Sequence, residues 1–469
     1  LFPVDQSQRS FSYEPKAITT AVGYLIIIGF SEAFMCVELT TVGALSGLGR
    51  QNFAVLSVLH SPVRESRLQS FLEVLWDSVE SGGLSLQHRL SKESYSPVHF
   101  SGSPGREDKA YENSKKIFKI VGIILGIIIL ALIGYIIYLF ASYHRIEDNL
   151  PLEVESHAAD AELTTEKEYS ALTYNIGFGA YTPDFSFFMD GGKFSWAKSK
   201  DSVLKTVQGA GELVASYDPD FALIEEEDLN STRSYHVNEY SILKECLADY
   251  DTVFAQNYDS AFLFYPFTQP HGKSRSGLAL FSRYPVTDSL RRSFPVSTSF
   301  SKFFDLDRCY SISRVPVDNG KELVIFELHM SAYGNSDAIR EGQIRMLSED
   351  MQKEYEAGNY VLCGGDFNHD LKAAEDDSTD KESWAYPFPR EELPEHFAFC
   401  IDQLTAQEKN DLWDSARNAD MEYVPGVTYT VTLDGFIISD NIECVSYEDI
   451  NTGYSYSDHD PVYLKFRLK

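Results

Sequence analysis

Tyr360-Val361-Leu362-Cys363-Gly364-Gly365-Asp366-Phe367-Asn368 is the stretch on which the reading of the fold turns. Its four leading residues are apolar or β-prone and predict a buried strand, with Cys363 as a buried thiol. The two glycines let the backbone lie close to another group. Asp366 and Asn368, two positions apart, fall on one side of an extended chain. A carboxylate and an amide at the end of an apolar strand are what a rigid sheet presents to solvent from its end loops.

The same pattern recurs five times. Leu172-Thr173-Tyr174-Asn175 closes a strand on an amide, and Phe221-Ala222-Leu223-Ile224 runs into Glu225-Glu226-Glu227-Asp228. Val324 to Leu328 runs into His329. Asp434 opens Gly435-Phe436-Ile437-Ile438, and Ser457-Asp458-His459-Asp460 opens the last strand. Each has an ordinary explanation alone: Asn is a turn residue, an acidic run is a solvated loop, and a lone His is usually a satisfied core residue. Together they supply the parts that hydrolysis of a phosphate ester needs, namely metal-binding carboxylates, amides and a histidine base oriented by a carboxylate.

Working outward, the predicted strands are Ser170–Gly177, Phe221–Glu226, Leu278–Ser282, Tyr310–Val317, Leu323–Met330, Tyr360–Gly365, Gly435–Ser439 and Pro461–Phe466. Predicted helices are Ser202–Tyr217, Ser234–Asp249, Asp337–Tyr355 and Thr405–Ala416. Strands and helices in mixed order argue for an α/β fold with sheets covered by helices.

Upstream, Ile120 to Phe140 carries no charge. A helix needs about 20 apolar residues to cross a bilayer, and a cleaved signal peptide has a shorter apolar core of about 7–15. Lys115, Lys116 and Lys119 precede the run, and acidic residues follow it. The positive-inside rule then puts the C-terminal part outside the cytoplasm. The expected organisation is a poorly structured leader over 1–112, a transmembrane signal anchor over 113–144, an acidic stalk over 145–168 and a catalytic domain over 169–469.

The chain of 469 residues has a formal net charge of −30. Residues 1–150 hold 13 of the 40 basic and 14 of the 70 acidic residues, leaving 27 and 56 in the remainder. A surface that negative repels polyanions and disfavours tight non-specific nucleic-acid binding. The six cysteines form no CxxC pair, so neither a zinc ribbon nor a disulfide scaffold is supported.

In this order the six motifs resemble the endonuclease/exonuclease/phosphatase superfamily, the fold of deoxyribonuclease-I-like nucleases, bacterial sphingomyelinases and inositol-phosphate phosphatases. The resemblance covers about Tyr169–Lys469. Gly365-Asp366-Phe367-Asn368 and Ser457-Asp458-His459 are its most specific parts, with Gly277–Pro285, Arg340 and Gln343 in support.

It implies a four-layered α-β-β-α sandwich and an Mg²⁺-dependent hydrolase, with Mn²⁺ as an alternative ion. By the same resemblance Asn175, Glu226 and Asp458 form the metal site, and Asp366 and Asn368 position water and a phosphate oxygen. His459 is the general base, Asp434 its partner, and His329 a second histidine at the phosphorane. The family usually has Gln where this chain has Glu225.

Three basic residues in loops particular to this chain, Lys193, Lys273 and Arg275, are expected to contact the substrate phosphate or head group. Gly435–Ser457 lacks tryptophan, so the membrane-inserting hairpin of secreted sphingomyelinases is not evident there. The leading reading is a membrane-anchored, extracytoplasmic phosphodiesterase or phosphatase acting on a lipid head group or small phosphate ester. An extracellular DNA or RNA endonuclease is the alternative, and an inactive surface-binding domain is the third.

Overall fold

Every predicted strand is a strand, and the register of the central ones explains why their polar ends meet. The structure, a computed structural model, describes residues 105–297, 302, 306–331, 337–373 and 385–469. The leader up to residue 104 lies outside the described residues.

Helix α1 (Gly105–Ser142) is followed by the short strands β1 (Leu150–Pro151) and β2 (Val154–Glu155). Then come β3 (Glu168–Asn175), α2 (Lys200–Tyr217), β4 (Phe221–Asp228), α3 (Glu239–Cys246), β5 (Asp251–Asp259), β6 (Arg275–Ser282) and β7 (Asp288–Ser293). The second half runs β8 (Cys309–Pro316), β9 (Glu322–His329), α4 (Asp337–Glu356), β10 (Tyr360–Asp366), β11 (Phe397–Phe399) and α5 (Ala406–Asp411). It ends with β12 (Ala416–Arg417), β13 (Thr430–Val431), β14 (Asp434–Ser439), β15 (Ile442–Asp449) and β16 (Val462–Leu468).

One seven-stranded sheet has the order β1-β7-β8-β9-β10-β14-β11 and the other β15-β16-β3-β4-β6-β5-β2. Their facing sides share one apolar core in which Leu223, Leu280, Phe326, Leu362, Phe436 and Leu464 are buried. Helix α4 adds Ile344, Leu347 and Met351 to that core from beyond the first sheet. On the far side of the second sheet, Val203, Val207, Ala210 and Val214 of α2 and Leu243 of α3 pack on Leu172, Ala222, Ile224 and Phe281. The architecture is the expected α-β-β-α sandwich. Burying a large apolar side chain contributes roughly 1.5–3 kcal/mol, so this double core dominates the stability.

Each sheet has one parallel pair at its centre, β3 with β4 and β9 with β10, and each pair is joined by a crossover helix, α2 or α4. In register, Asn175 lies opposite Glu225, and Asp366 opposite both His329 and Asp434. The polar residues that close these strands are thereby gathered at one end of the sandwich.

Several expectations are corrected. The 145–168 segment is no free stalk: β1 pairs with β7, β2 with β5, and Leu163 is fully buried in a bridge to Val317. Its Leu152, Val154 and Leu163 pack on the core, and the added strands cover sheet edges that would otherwise expose unpaired backbone.

Helix α3 starts five residues later than expected, because Tyr235 and His236 take left-handed backbone angles (φ 56° and 59°). Helix α5 stops at Asp411. Thr405 and Glu408 cap its start reciprocally, but Leu412 is extended and Trp413 is drawn off to donate to Asp460 at 2.8 Å. Strands β5 and β7, each one in from a sheet edge, the edge strand β15 and the short β1, β2, β11, β12 and β13 are not among the predicted strands.

Within α1, Lys119–Ser142 has a mean hydropathy of 3.1 and is long and apolar enough to cross a membrane. Ile127 and Leu130 are 61% and 69% exposed, which suits a lipid-facing helix better than a core one.

Candidate active site

The site is built around Asp366, the last residue of β10. Gly365 before it has φ +139°, and a Cβ there would meet the Leu328 carbonyl oxygen at 2.0 Å. Only glycine lets β10 close on β9 tightly enough to bring Asp366 level with His329. Asp366 Oδ2 accepts a hydrogen bond from Asn175 Nδ2 at 3.1 Å and lies 3.4 Å from His329 Nε2 and 3.9 Å from His459 Nε2. Asn368, in a left-handed conformation, donates its backbone N–H to Asp366 Oδ1 at 2.8 Å. Its side-chain amide donates to the Met330 carbonyl at 3.0 Å.

His459 and Asp434 meet from β14 and the turn before β16, with Nδ1 and Oδ2 2.7 Å apart. Ser415 holds the arrangement from below: its hydroxyl donates to Asp434 Oδ2 at 2.7 Å and accepts from the Leu433 and Asp434 amides. Ser457 Oγ accepts the His459 amide at 3.2 Å.

Glu226 owes its position to a β-bulge. The β4–β6 ladder shifts register between Glu225 and Glu227, and Glu226 takes φ +64°. Bulges of this kind re-aim a side chain at a sheet end. Glu225 and Glu227 are fully buried, whereas Glu226 keeps 23% of its side chain exposed, 3.8 Å from His329 Nε2.

The electrostatics separate the two histidines. Burial alone would lower the pKa of His459, but the Asp434 carboxylate, followed by Asp366 and Asp458, raises it well above the ordinary 6.5. Burial, reinforced by Arg308, His459 and Arg233, drives His329 well below the same value. Asp366 is raised to about 7 by burial and by Asp434. Two like groups pushed apart by their surroundings are a recurring mark of divided acid and base roles.

Asp366, Asp434 and His459 offer ligand atoms within 4.8 Å of one another, close enough to hold a cation. Asp434 Oδ2 is shared by His459 and Ser415, which ties this carboxylate to the imidazole and suits the trio to moving a proton, while Asp434 Oδ1 has no hydrogen-bond partner among the described residues. The adjoining donors, Asn175, Glu226 and Asp458, are hard oxygen ligands. Glu226 also raises the pKa of Asp458, after burial, which is the crowding a divalent cation relieves. The residues fit a metal of the Mg²⁺ or Mn²⁺ type.

Eight of the eleven anticipated residues therefore belong to one cluster. The other three do not join it. Lys193 sits 3.8 Å from Glu422, Lys273 lies 3.6 Å from Asp259, and Arg275 donates to Gln256 Oε1 at 3.2 Å, all at the surface. The loop carrying Lys193 closes on itself, with Phe185 stacked on Phe194 at 5.5 Å.

Arg308 was missed. It is 7% exposed, its Nε and Nη1 have no hydrogen-bond partner among the described residues, and its charge acts on both His329 and Asp366. A nearly buried guanidinium with donors to spare suits a phosphate oxyanion. Its only signal in the sequence is Asp307-Arg308 just before a strand, which is too common to single out.

Solved structures similar to the chain include an endonuclease/exonuclease/phosphatase from Beutenbergia cavernae, at 17% identity over 65% of this chain and 72% of that one, with a TM-score of 0.48. A Bacteroides vulgatus endonuclease/exonuclease/phosphatase matches at 15% identity over 65% and 100%, with a TM-score of 0.43. TDP2 of D. rerio, complexed with single strand DNA product, matches at 16% over 65% and 100%, also with a TM-score of 0.43. No curated protein matches the chain. A sequence profile of the Endonuclease/Exonuclease/phosphatase family matches residues 172–415, more than half of the chain, from within β3 to just before β12. With that match and the two-sheet sandwich described above, the chain belongs to the endonuclease/exonuclease/phosphatase family, whose members hydrolyse phosphate esters.

Proposed function

We propose that this protein is a divalent-metal-dependent phosphodiesterase or phosphatase that cleaves a lipid head group or another small phosphate ester on the extracytoplasmic side of a membrane. The observation that carries this reading is the His459–Asp434 pair, 2.7 Å apart and set beside Asp366 and the Asn175–Glu226–Asp458 donors.

Asp434 holds the Nδ1–H of His459, which leaves Nε2 as the nitrogen that takes a proton from the attacking water. Asp366 and Asn368 orient that water and a non-bridging phosphate oxygen. His329, kept neutral by its burial, donates a hydrogen bond from Nε2 rather than a charge. Arg308 receives the negative phosphate oxygens. Asn175, Glu226 and Asp458 would hold the cation, which supplies Lewis-acid stabilisation of charge at the phosphorus centre and the leaving oxygen. No covalent enzyme intermediate is part of this scheme.

The extracytoplasmic placement rests on the lysines before Ile120 and the acidic residues after Arg145. The acidic excess after residue 150 works against a polyanionic substrate. Purified full chain, assayed with Mg²⁺ or Mn²⁺ on sphingomyelin, inositol phosphates, DNA and RNA, tests the reading. Turnover of a lipid or small ester is expected, and turnover confined to nucleic acid would replace it.

A further inference from the structure

The connection between β5 and β6 carries an aromatic run, Phe262-Leu263-Phe264-Tyr265-Pro266-Phe267, that the chemistry above does not use. It is not slack. Leu263 and Gly272 exchange backbone hydrogen bonds at 3.0 Å in both directions, and the His271 amide donates to the Tyr265 carbonyl at 3.1 Å. The tip so held points its rings outward: Phe264, Tyr265 and Phe267 are 49%, 63% and 86% exposed. Three large apolar side chains displayed together on a rigid tip call for a nonaqueous partner.

The hairpin leans on the last turns of the apolar span. Phe264 meets the Tyr135 ring edge-on at 5.0 Å, and Leu263 is buried with Leu139. The Phe262 amide donates to the Tyr138 hydroxyl at 2.9 Å. Tyr135 to Leu139 lie in the C-terminal part of Lys119–Ser142, within roughly 10 Å of its end at a rise of about 1.5 Å per residue. That is the depth of the head-group boundary, where tyrosines and other aromatics are enriched. In the other direction Tyr265 packs on Phe188 at 5.8 Å, both Phe187 and Phe188 pack on His271, and Phe187 packs on Phe178, three residues after Asn175.

We propose that the Phe264–Phe267 tip is a second membrane contact, inserted in the lipid interface beside the spanning helix, which holds the catalytic mouth at head-group level so that the substrate is a phosphate ester of a lipid in that same membrane. The proposal rests on the membrane-anchored phosphohydrolase reading and adds to it a surface, a partner and a substrate source. The exposed rings need a bilayer rather than a protein groove, because the span they touch is continuous with them and already commits the chain to lipid.

The test uses full chain reconstituted in phosphatidylcholine vesicles. Phe267→Trp adds a fluorophore at the tip, read as the difference from wild type. Vesicles brominated near the head of the acyl chains are expected to quench the added emission by about half or more, with little effect of aqueous iodide. Quenching by iodide alone overturns the proposal.

In parallel, a variant with Phe264, Tyr265 and Phe267 all changed to Ser is expected to lose at least about tenfold in hydrolysis of a long-chain lipid phosphodiester in the vesicle. Its rate on soluble bis(p-nitrophenyl) phosphate stays unchanged, which shows an intact fold. Equal lipid rates in wild type and variant also overturn the proposal. If wild type cleaves neither ester, the hydrolase reading fails, and the quenching measurement still decides where the tip lies.

Discussion

His459 and Asp434 are joined at 2.7 Å, and the second lone pair of that carboxylate oxygen is taken by Ser415 at the same distance. That oxygen is therefore held from two directions and fixes the imidazole in turn. Asp434→Asn keeps the shape but removes the charge that raises the His459 pKa. The raised value means that His459 binds its proton too tightly at low pH to act as a base. The acid limb of the kcat/KM profile should accordingly move to lower pH in the variant. Its plateau should fall by on the order of 10²–10⁴ as the base weakens and its tautomer is no longer set. An acid limb at the wild-type position would remove Asp434 from this role.

Glu226 stands out of its strand because of the bulge, and it is the exposed carboxylate in a row whose neighbours are buried. Glu226→Gln should leave the thermal stability within about 1 kcal/mol of wild type, since 23% of the side chain is exposed and its contact with His329 is as long as 3.8 Å. Activity should fall at least about a hundredfold and recover in part at high Mg²⁺ or Mn²⁺. Chelation should abolish wild-type turnover. Wild-type activity at low Mg²⁺ in the variant would contradict the metal role.

What the sequence revealed was whatever sits at the end of an apolar strand. Asn175, His329, Asp366 and Asp434 each terminate or open a run of buried residues, and parallel pairing of β3 with β4 and of β9 with β10 carries those ends to one place. Arg308 and Ser415 act from irregular segments whose direction depends on tertiary contacts, so no periodicity marks them. The three loop cations looked functional because they are basic within an acidic domain. The same acidity places Glu422 and Asp259 beside Lys193 and Lys273, outside the catalytic cluster. The 145–168 segment looked like a stalk because its charges outnumber its apolar residues, yet two short strand pairings and the buried Leu163 seat it on the domain.

Arg308→Met tests the anion seat. Removing a guanidinium whose Nε and Nη1 have no partner among the described residues should raise KM for a phosphate ester by roughly tenfold or more and lower kcat less. Loss of its charge should also relieve the depression of the His329 pKa, in the direction of the ordinary value. A variant with unchanged KM would place the phosphate elsewhere.

Glu327 is the carboxyl whose change should stabilise the protein. It lies at the heart of the core between the sheets, accepting from the Ile224 amide at 3.1 Å and Ser311 Oγ at 3.3 Å, and its pKa is raised well above 4.5 by burial. Glu225 and Glu227, also buried, are raised by burial and then by the charge of Glu327. For a group raised in the folded state, the native protein keeps a proton that the unfolded chain releases above about 4.5. The stabilising contribution is thus complete below that value and is lost as pH rises toward the folded pKa. Glu327→Gln retains an oxygen to accept the Ile224 amide and has no proton to lose. Its melting temperature should match or fall slightly below wild type near pH 4 and exceed it above about pH 7, by an amount equivalent to roughly 1–3 kcal/mol. Melting curves of both proteins across that range check it, and parallel pH dependences would show that Glu327 does not carry the proton.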